Sequence, residues 1–397
     1  MLLPPARSLP AVPPEPATAT PVPAAPATAA PAPEAPAPAP GRGPRLRALD
    51  GLRLLAALGV MLFHYTGKDL DPRIWGARPR ALMPEVSRIS SYTWLGVELF
   101  FLISGFVICM SCWGKRPRDF LTSRVVRLYP AYWFAVLLTA AVVALAARPW
   151  GSYHELTYRL VLTNLTMFQW PMGTEAVDPI YWTLWIEMRF YVVFAVVLAF
   201  GLTYRRVVLF CMAWTLAAIL APGMHWGPLT ELAQPQYAPF FVAGIVMYLM
   251  HRFGPNPLLW GMLGFSWLFA QNQMPGIIRQ YEAEVRHPIP WTNATLVMTA
   301  GFLLVLAAAL GRLDRLNWKW LTTAGALTYP LYLLHQEIGW IAIWVGHRWL
   351  APLPLLCVVV TGVVLVSFLV NKLVERPLSR ALKPLMQRSF AALSRHG

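Results

Sequence analysis

Charged residues are scarce in this sequence. Only 13% of its 397 residues are Asp, Glu, Lys or Arg, whereas an ordinary globular domain carries about a quarter. Hydrophobic residues make up 57% of the chain, and its mean hydropathy is +0.50. These values exclude a water-soluble fold of this size, because too few charged side chains are present to cover its surface. We therefore expect the chain to lie in a lipid bilayer.

Cysteine is scarce as well. The four cysteines, Cys109, Cys112, Cys211 and Cys357, all lie in apolar segments, and no Cys or His stands at a spacing that would complete a zinc site. This excludes a disulfide scaffold and a metal finger, so we expect no metal. Cys109 and Cys112 form a CxxC pair, which inside an apolar helix we interpret as small packing residues rather than a redox pair.

Proline is concentrated at one end of the chain. The first forty residues hold 14 of the 37 prolines, mostly alternating with alanine. Such a composition predicts a disordered cytoplasmic tail over residues 1–44. The prolines also interrupt any run that would resemble a secretory signal. We assign residues 45–378 to a transmembrane domain and 379–397 to a basic cytoplasmic tail.

From residue 46 onward the sequence is a series of apolar segments, each close to the roughly 20 residues that cross about 30 Å of hydrocarbon. Ten segments meet this description: 49–66, 93–113, 130–147, 179–202, 207–222, 237–251, 257–273, 293–311, 322–346 and 353–371. They predict an all-α, polytopic membrane helix bundle of about ten transmembrane helices. The shorter, more polar segment 158–170 is expected to be re-entrant or to lie on the membrane surface.

The net charge of +15 is explained by membrane orientation. With ten spans starting inside, 21 of the 33 Lys and Arg residues fall in inward segments, 10 in outward loops and two within spans. This bias predicts that both termini are cytoplasmic. Charges scattered over many segments do not form the compact basic face that nucleic acid requires, so membrane lipid is the expected partner.

Ionisable residues inside spans are costly and are functional candidates by default. Seven such residues are present: Arg53, His64, Glu98, Glu187, Arg189, His335 and Glu337. Arg53 and His64 lie eleven residues apart in the first span, so on a regular helix they differ in direction by only about 20°. The simpler alternative is a snorkelling arginine and a hydrogen-bonded core histidine.

Arg124 and Arg127 lie one helical turn apart at the inner mouth of the third span. Two guanidinium groups at this spacing match a phosphate well, although an ordinary positive-inside anchor has the same appearance. Thr183, Glu187 and Tyr191 share a face of the fourth span at i, i+4 spacing. Glu187 needs a partner there, from Arg53, His64 or another span, for either structural pairing or catalytic orientation.

His335 is the second histidine within a span, and tyrosines precede it by one and two turns. An interhelical hydrogen-bond network would explain this pattern without a catalytic role.

Taken together and in order, these passages resemble the acyltransferase 3 family of polytopic membrane acyltransferases. The resemblance covers residues 46–378 and has ten spans, as in the family. The matching stretches are Leu49 to Arg53 leading to Phe63-His64, Gly96 to Phe106, the Arg124/Arg127 pair with Tyr129-Pro130, Trp182 to Tyr191, Tyr329 to Gln336, and Val374 to Pro377.

The resemblance implies transfer of an acyl group, commonly acetyl from cytoplasmic acetyl-CoA, to an acceptor at the outer side of the membrane. By position, His64 would be the catalytic histidine with Arg53 as its same-span partner, and Arg124 and Arg127 would hold the coenzyme. Glu187 falls in the family's acidic and aromatic motif. Glu98 stands where the family often has aspartate.

The expected reaction is O-acetylation of an exported or surface polysaccharide, such as an exopolysaccharide or O-antigen, in a bacterial inner membrane. A neutral imidazole at His64 would act as a general base or carry the acyl group itself. Polysaccharide export machinery is a possible partner. The aromatic residues of the outer loops are candidate carbohydrate contacts, unless they form an interfacial belt; they are Tyr92, Trp150, Tyr153 and Trp170.

Other functions fit the same residues. Within the acyltransferases, the alternatives are succinylation of periplasmic glucan, acylation of peptidoglycan and acylation of a small metabolite. A transporter or flippase would also place charges inside the membrane, although no pair of interrupted segments indicates inverted repeats. A non-catalytic scaffold or sensor is the third possibility, disfavoured because the polar motif positions are filled.

Overall fold

The structure, a computed structural model, describes residues 46–146 and 156–393, with side chains up to residue 389. The predicted tail over 1–44 and the aromatic residues Trp150 and Tyr153 lie outside the described residues. All regular structure in the described ranges is helical and contains no strand. This confirms the all-α class, which follows from the need to satisfy every backbone polar group internally in lipid.

The described residues form seventeen α-helices. In the first half of the chain they are α1 (Arg47–Leu62), α2 (Pro72–Trp75), α3 (Pro79–Leu82), α4 (Pro84–Ser90), α5 (Gly96–Cys112), α6 (Pro117–Ala146), α7 (Tyr158–Leu165) and α8 (Trp182–Ala199). In the second half they are α9 (Tyr204–Leu220), α10 (Gly227–Ala233), α11 (Ala238–Phe253), α12 (Pro257–Val285), α13 (Trp291–Ala309), α14 (Lys319–Leu334), α15 (Gln336–Gly346), α16 (Pro352–Val370) and α17 (Arg376–Leu393).

Seven helical stretches in the described residues are long and apolar enough to cross a membrane: Arg47–Gly67, Pro84–Cys112, Pro117–Ala146, Pro179–Ala199, Tyr204–Met224, Trp291–Ala309 and Pro352–Ser389. Each contains or overlaps one of the ten predicted spans. The other three predicted segments are also helical, but α11 is only 16 residues long and the segment 322–346 is broken between α14 and α15. Helix α12 contains the polar run 271–273. These three crossings stay predictions.

Helix α11 forms the centre of the helical core. Every residue from Ala238 to Met250 is buried, which explains why so short a helix has no polar face. Two glycines let α11 approach α5 closely. A Cβ atom on Gly244 would lie 1.9 Å from the Leu102 carbonyl oxygen, and one on Gly105 would lie 2.1 Å from the Phe241 carbonyl oxygen. This is the small-residue packing by which membrane helices associate.

The break between α14 and α15 falls at His335 and is stabilised by two side chains. Asp178 accepts a hydrogen bond from the Glu337 amide at 3.3 Å, and its other oxygen accepts from the Ile180 amide at 3.2 Å. The Tyr65 hydroxyl donates to the His335 carbonyl at 2.6 Å. Backbone groups freed by the break therefore find partners inside the protein, as lipid surroundings require.

Two π-helical turns interrupt the regular helices, at Phe63–Gly67 directly after α1 and at Asn371–Glu375 directly after α16. Such turns are rare and occur frequently at functional sites. The first contains His64. In the second, the Asn371 amide donates to Glu375 at 2.9 Å.

The segment after α7 contacts the middle of α6. The Tyr129 hydroxyl donates to the Thr166 carbonyl at 3.0 Å, and the Trp133 indole N–H donates to the Leu165 carbonyl at 2.9 Å. Both aromatic residues lie near the midpoint of the 30-residue helix α6. Both alternatives for segment 158–170, re-entrant or on the membrane surface, stay predictions.

Candidate active site

Three arginines predicted from two separate motifs lie around one cavity, which we call the arginine cavity. It encloses about 730 Å³ of empty space, its open mouth included. Arg53 of α1 and both Arg124 and Arg127 of α6 line it, with Glu187 and Tyr191 of α8 opposite. Three arginines and one glutamate give the cavity a formal excess of two positive charges, which suits a multiply charged anion.

Aromatic rings and hydroxyl groups position Arg124. Its guanidinium carbon lies 5.7 Å from the centroid of the Phe120 ring and 5.9 Å from that of Tyr191, within the range of cation–π attraction. Its Nε atom donates to the Ser123 hydroxyl at 3.3 Å, and the Ser111 hydroxyl lies 3.5 Å from Nη2.

Glu187 faces this same cavity, and one of its hydrogen-bond partners is a residue that the sequence did not single out. The Ser104 hydroxyl of α5 donates to Glu187 at 2.7 Å. Thr183 and Tyr191 also line the cavity, as their spacing on one helix face predicts. Arg189 instead forms an ion pair with Glu231 of α10. Glu187 is therefore placed beside the arginines and does not line the cleft that contains His64.

A second cavity, the entrance cavity, lies alongside and shares Arg53, Arg127, Gly325 and Tyr329 with the arginine cavity. It is also lined by Asp50 and by Glu375 of the second π-helical turn. Arg53 thus connects the two cavities at the end of the bundle where α1 begins.

His64 lines a different space, which we call the histidine cleft, of about 390 Å³. Most of the other side chains around this cleft are aromatic or aliphatic, and Gln280 and Glu284 are the polar ones among them. The aromatic and aliphatic residues are Val60, Phe63, Trp94, Val97, Ile180, Trp182, Tyr281 and Tyr332. The rings of Trp94 and Tyr281 are stacked, with centroids 4.1 Å apart. Glu284 forms an ion pair with Lys68 at 3.2 Å.

The two intramembrane histidines predicted from distant parts of the chain are in contact. His335 Nε2 lies 3.1 Å from His64 Nδ1. His64 Nδ1 also lies 2.8 Å from the Val60 carbonyl oxygen, and His335 Nδ1 lies 2.8 Å from the Tyr332 carbonyl oxygen. The Trp340 indole N–H donates to the His64 carbonyl at 2.8 Å. His335 is buried, whereas the His64 side chain is partly open to the cleft.

Tyr332 separates the arginine cavity from the histidine cleft. Its ring lines both spaces, as does Val97. The Tyr332 and Thr183 hydroxyls are hydrogen-bonded to each other at 2.8 Å. A molecule held by the arginines would therefore meet Tyr332 on the way to His64.

Glu98 lies apart from these spaces, as Arg189 does. It is 2% exposed, and within the described part of the chain its Oε2 atom has no hydrogen-bond partner. It lines an apolar groove between α1, α5 and α13. Tyr92 lines this groove too and accepts a hydrogen bond from Asn293. Neither Tyr92 nor Trp170 lines the histidine cleft.

Some residues of the site were not expected from the sequence. Ser104 lies in a stretch that carries the family resemblance, but nothing in its spacing indicates Glu187 as its partner. Tyr332 is the tyrosine noted one turn before His335, and only its partner Thr183 was not predicted. Gln280 and Glu284 are on the part of α12 that continues beyond the predicted span 257–273. Asp178 did carry a signal, because an aspartate followed by proline is typical of a helix start.

The described residues contain no group of three or more His, Cys, Asp and Glu side chains placed to hold a metal ion. Cys109, Cys112 and Cys211 are free and buried. The CxxC pair thus lies in the packed interior of the bundle, as its interpretation as packing residues requires.

Comparison with known proteins gives a family and several relatives. The family profile described as acyltransferase domain matches residues 46–372. Acyltransferase MdmB of Streptomyces mycarofaciens is 27% identical over 352 residues, covering 78% of this chain and 82% of that protein. Nodulation protein 10 of Rhizobium leguminosarum bv. viciae is 25% identical over 375 residues, covering 86% and 95%.

A shorter similarity is found to exopolysaccharide production protein ExoZ of Rhizobium meliloti (strain 1021). It is 33% identical over 108 residues, which cover 25% of this chain and 32% of that protein. No solved structure matches the chain.

Proposed function

This chain belongs to the acyltransferase 3 family of membrane proteins, and from that premise we propose that it moves an acetyl group from cytoplasmic acetyl-CoA to a hydroxyl of an exported or surface polysaccharide. The observation that carries the proposal is the arginine cavity beside Tyr332, with His64 on the far side of that ring.

The arginine cavity fits the charged end of coenzyme A. The coenzyme has three phosphate groups at its nucleotide end and a long, flexible pantetheine arm. Arg53, Arg124 and Arg127 supply three guanidinium groups, each able to bind a phosphate through two hydrogen bonds. The arm would then extend past Thr183 and Tyr332 towards the histidine cleft.

His64 is the proposed catalytic residue. It takes the proton of the acceptor hydroxyl, whose oxygen attacks the thioester carbonyl carbon. The carbon–sulfur bond breaks, and the departing thiolate takes from the imidazolium the proton that the acceptor hydroxyl gave up. The products are the acetyl ester and free coenzyme A, so protons and charges balance.

The histidine cleft is the proposed acceptor site. The half-buried ring of Trp182 offers a flat apolar face, and Gln280 and Glu284 offer polar groups for hydroxyls. The stacked rings of Trp94 and Tyr281 are buried and form the wall of the cleft. An exported polysaccharide as acceptor is supported by the similarity to ExoZ, which is named an exopolysaccharide production protein. We place the chain in the bacterial inner membrane with both termini cytoplasmic, beside polysaccharide export machinery.

The test is transfer of [14C]acetyl from acetyl-CoA in membranes that contain the protein and its host's polysaccharide precursors. We expect label in the polymer fraction that mild alkali releases, because acetyl esters are alkali-labile. The Arg124→Ala, Arg127→Ala double variant should lose this label. Arg206→Ala is the matched control, since Arg206 binds the carbonyl of Phe200 and lines neither cavity. The absence of label from the polymer in membranes that contain the folded wild-type protein would contradict the proposal.

A further inference from the structure

We propose that His335 is a positioning residue that accepts a hydrogen bond from His64 Nδ1 and so leaves His64 Nε2 as the nitrogen that receives the acceptor's proton. The inference rests on the proposed function only for the identity of the reaction. Its structural part follows from the contacts of the two imidazole rings.

The carbonyl oxygens around the pair decide where the protons lie. A carbonyl oxygen only accepts hydrogen bonds, so a ring nitrogen 2.8 Å from one must carry a proton. His64 Nδ1 meets this condition at Val60, and His335 Nδ1 meets it at Tyr332. Both Nδ1 atoms are therefore protonated.

Only one placement of the protons is then compatible with the contact between the two rings. His64 Nδ1–H faces His335 Nε2 at 3.1 Å, and two N–H groups cannot face each other at that distance. His335 Nε2 thus carries a lone pair and accepts, which makes His335 neutral. In neutral His64 the lone pair is on Nε2, the nitrogen that a general base or an acyl carrier must use.

This arrangement also stabilises the charge that forms in the reaction. When His64 Nε2 takes a proton, the positive charge is shared with Nδ1–H, which donates to both Val60 and His335. His335 is in turn held by carbonyls of the last turn of α14, the Leu331 carbonyl at 3.3 Å and that of Tyr332. The C-terminal end of a helix favours positive charge. His335 acts here as the third group of a serine-protease triad does, by orienting the base.

The break between α14 and α15 serves this geometry. It allows His335 to turn its side chain back onto the carbonyls of α14, while Tyr65 binds the His335 carbonyl and Trp340 binds the His64 carbonyl. Gly339 is required there, because a Cβ atom would lie 1.9 Å from the Tyr65 hydroxyl. Both histidines are thus held by the same hydrogen-bond network.

The direct test is a long-range 1H–15N NMR spectrum of the full chain in nanodiscs, with 15N-labelled histidine. The His64 signal is assigned by its loss in His64→Gln. We expect His64 to have its proton on Nδ1 and a bare Nε2. A His64 proton on Nε2 in the wild type would overturn the proposal, and this readout needs neither substrate nor a variant of His335.

Variants of His335 give a second, kinetic test. His335→Gln retains an amide oxygen that can accept from His64 and should keep acetyl transfer within about fivefold. His335→Leu should lower kcat by about 10- to 100-fold, the loss expected when a hydrogen bond to a charged group is removed, with KM for acetyl-CoA unchanged. Equal activity of the Leu and Gln variants would overturn the proposal.

His347→Gln is the matched control. His347 also binds the carbonyl three residues before it, that of Trp344, but its ring lies against Gly76 and not against His64. It should behave as wild type. If the NMR result holds and no acceptor is ever acetylated, the proposed function fails while the hydrogen-bond arrangement stands.

Discussion

At the scale of single residues, Arg53 is the side chain that connects the arginine cavity with the entrance cavity. Arg53→Ala should raise the apparent KM for acetyl-CoA by about 10- to 100-fold, because one charge-assisted hydrogen bond to phosphate is worth about 1.5–3 kcal/mol. Steady-state kinetics with acetyl-CoA as the varied substrate measures this. Normal activity with normal apparent affinity would show that Arg53 does not bind the donor.

A different prediction concerns Tyr332, because its ring lies between the arginine cavity and the histidine cleft. Tyr332→Ala should join the arginine cavity to the histidine cleft and raise hydrolysis of acetyl-CoA in the absence of acceptor several-fold. Tyr332→Phe keeps the ring and loses the bond to Thr183, so its hydrolysis rate should stay low. Thiol release followed with a chromogenic disulfide measures both. Equal rates in the two variants would mean that the ring is no barrier.

At the scale of elements, the crossing of α5 and α11 depends on the absence of side chains. Gly244→Ala would place a Cβ atom 1.9 Å from the Leu102 carbonyl oxygen, and the backbone shift needed should cost at least about 1–3 kcal/mol. We expect a lower thermal unfolding temperature in detergent. Gly261→Ala in α12 is the control, because nothing lies within 4 Å of its Cβ position. Unchanged unfolding of Gly244→Ala would disprove the close approach.

The elements also show how far the sequence can predict this protein. Helix class and the positions of the apolar segments follow from composition alone, because a span must be long, apolar and helical. The break at His335 does not, since Leu327 to Leu334 reads as continuous helix and the stabilising Asp178 is 157 residues away. The π-helical turn at His64 is likewise invisible in the regular spacing from Arg53.

The candidate site was predictable residue by residue but not as an arrangement. Motif matching selected Arg53, Arg124, Arg127 and Glu187, and all four lie around one cavity. The contact between His64 and His335 spans 271 residues of sequence, and no periodicity relates two helices so far apart. The separation of Glu187 from His64 by Tyr332 depends on helix packing, which spacing along one helix does not describe.

At the scale of the whole molecule, the distribution of Lys and Arg predicts that both termini are cytoplasmic. A single cysteine introduced by Arg88→Cys on α4, an exposed side chain, should react with a membrane-impermeant maleimide in spheroplasts. Ser394→Cys in the C-terminal tail should react only after permeabilisation. Both variants are built on Cys357→Ser, because Cys357 is exposed. Labelling of Ser394→Cys in intact spheroplasts would show that the C-terminus lies outside and would contradict the predicted orientation.

The most direct measurement is the acetyl content of the cell-surface polysaccharide, by proton NMR, in a deletion strain complemented with wild type or His64→Ala. We expect acetyl signals to disappear on deletion, to return with wild type, and to stay at least about 100-fold lower with stably expressed His64→Ala, the typical effect of losing a general base. Full acetylation with His64→Ala, or in the deletion strain itself, would contradict the assignment of this protein as a polysaccharide O-acetyltransferase.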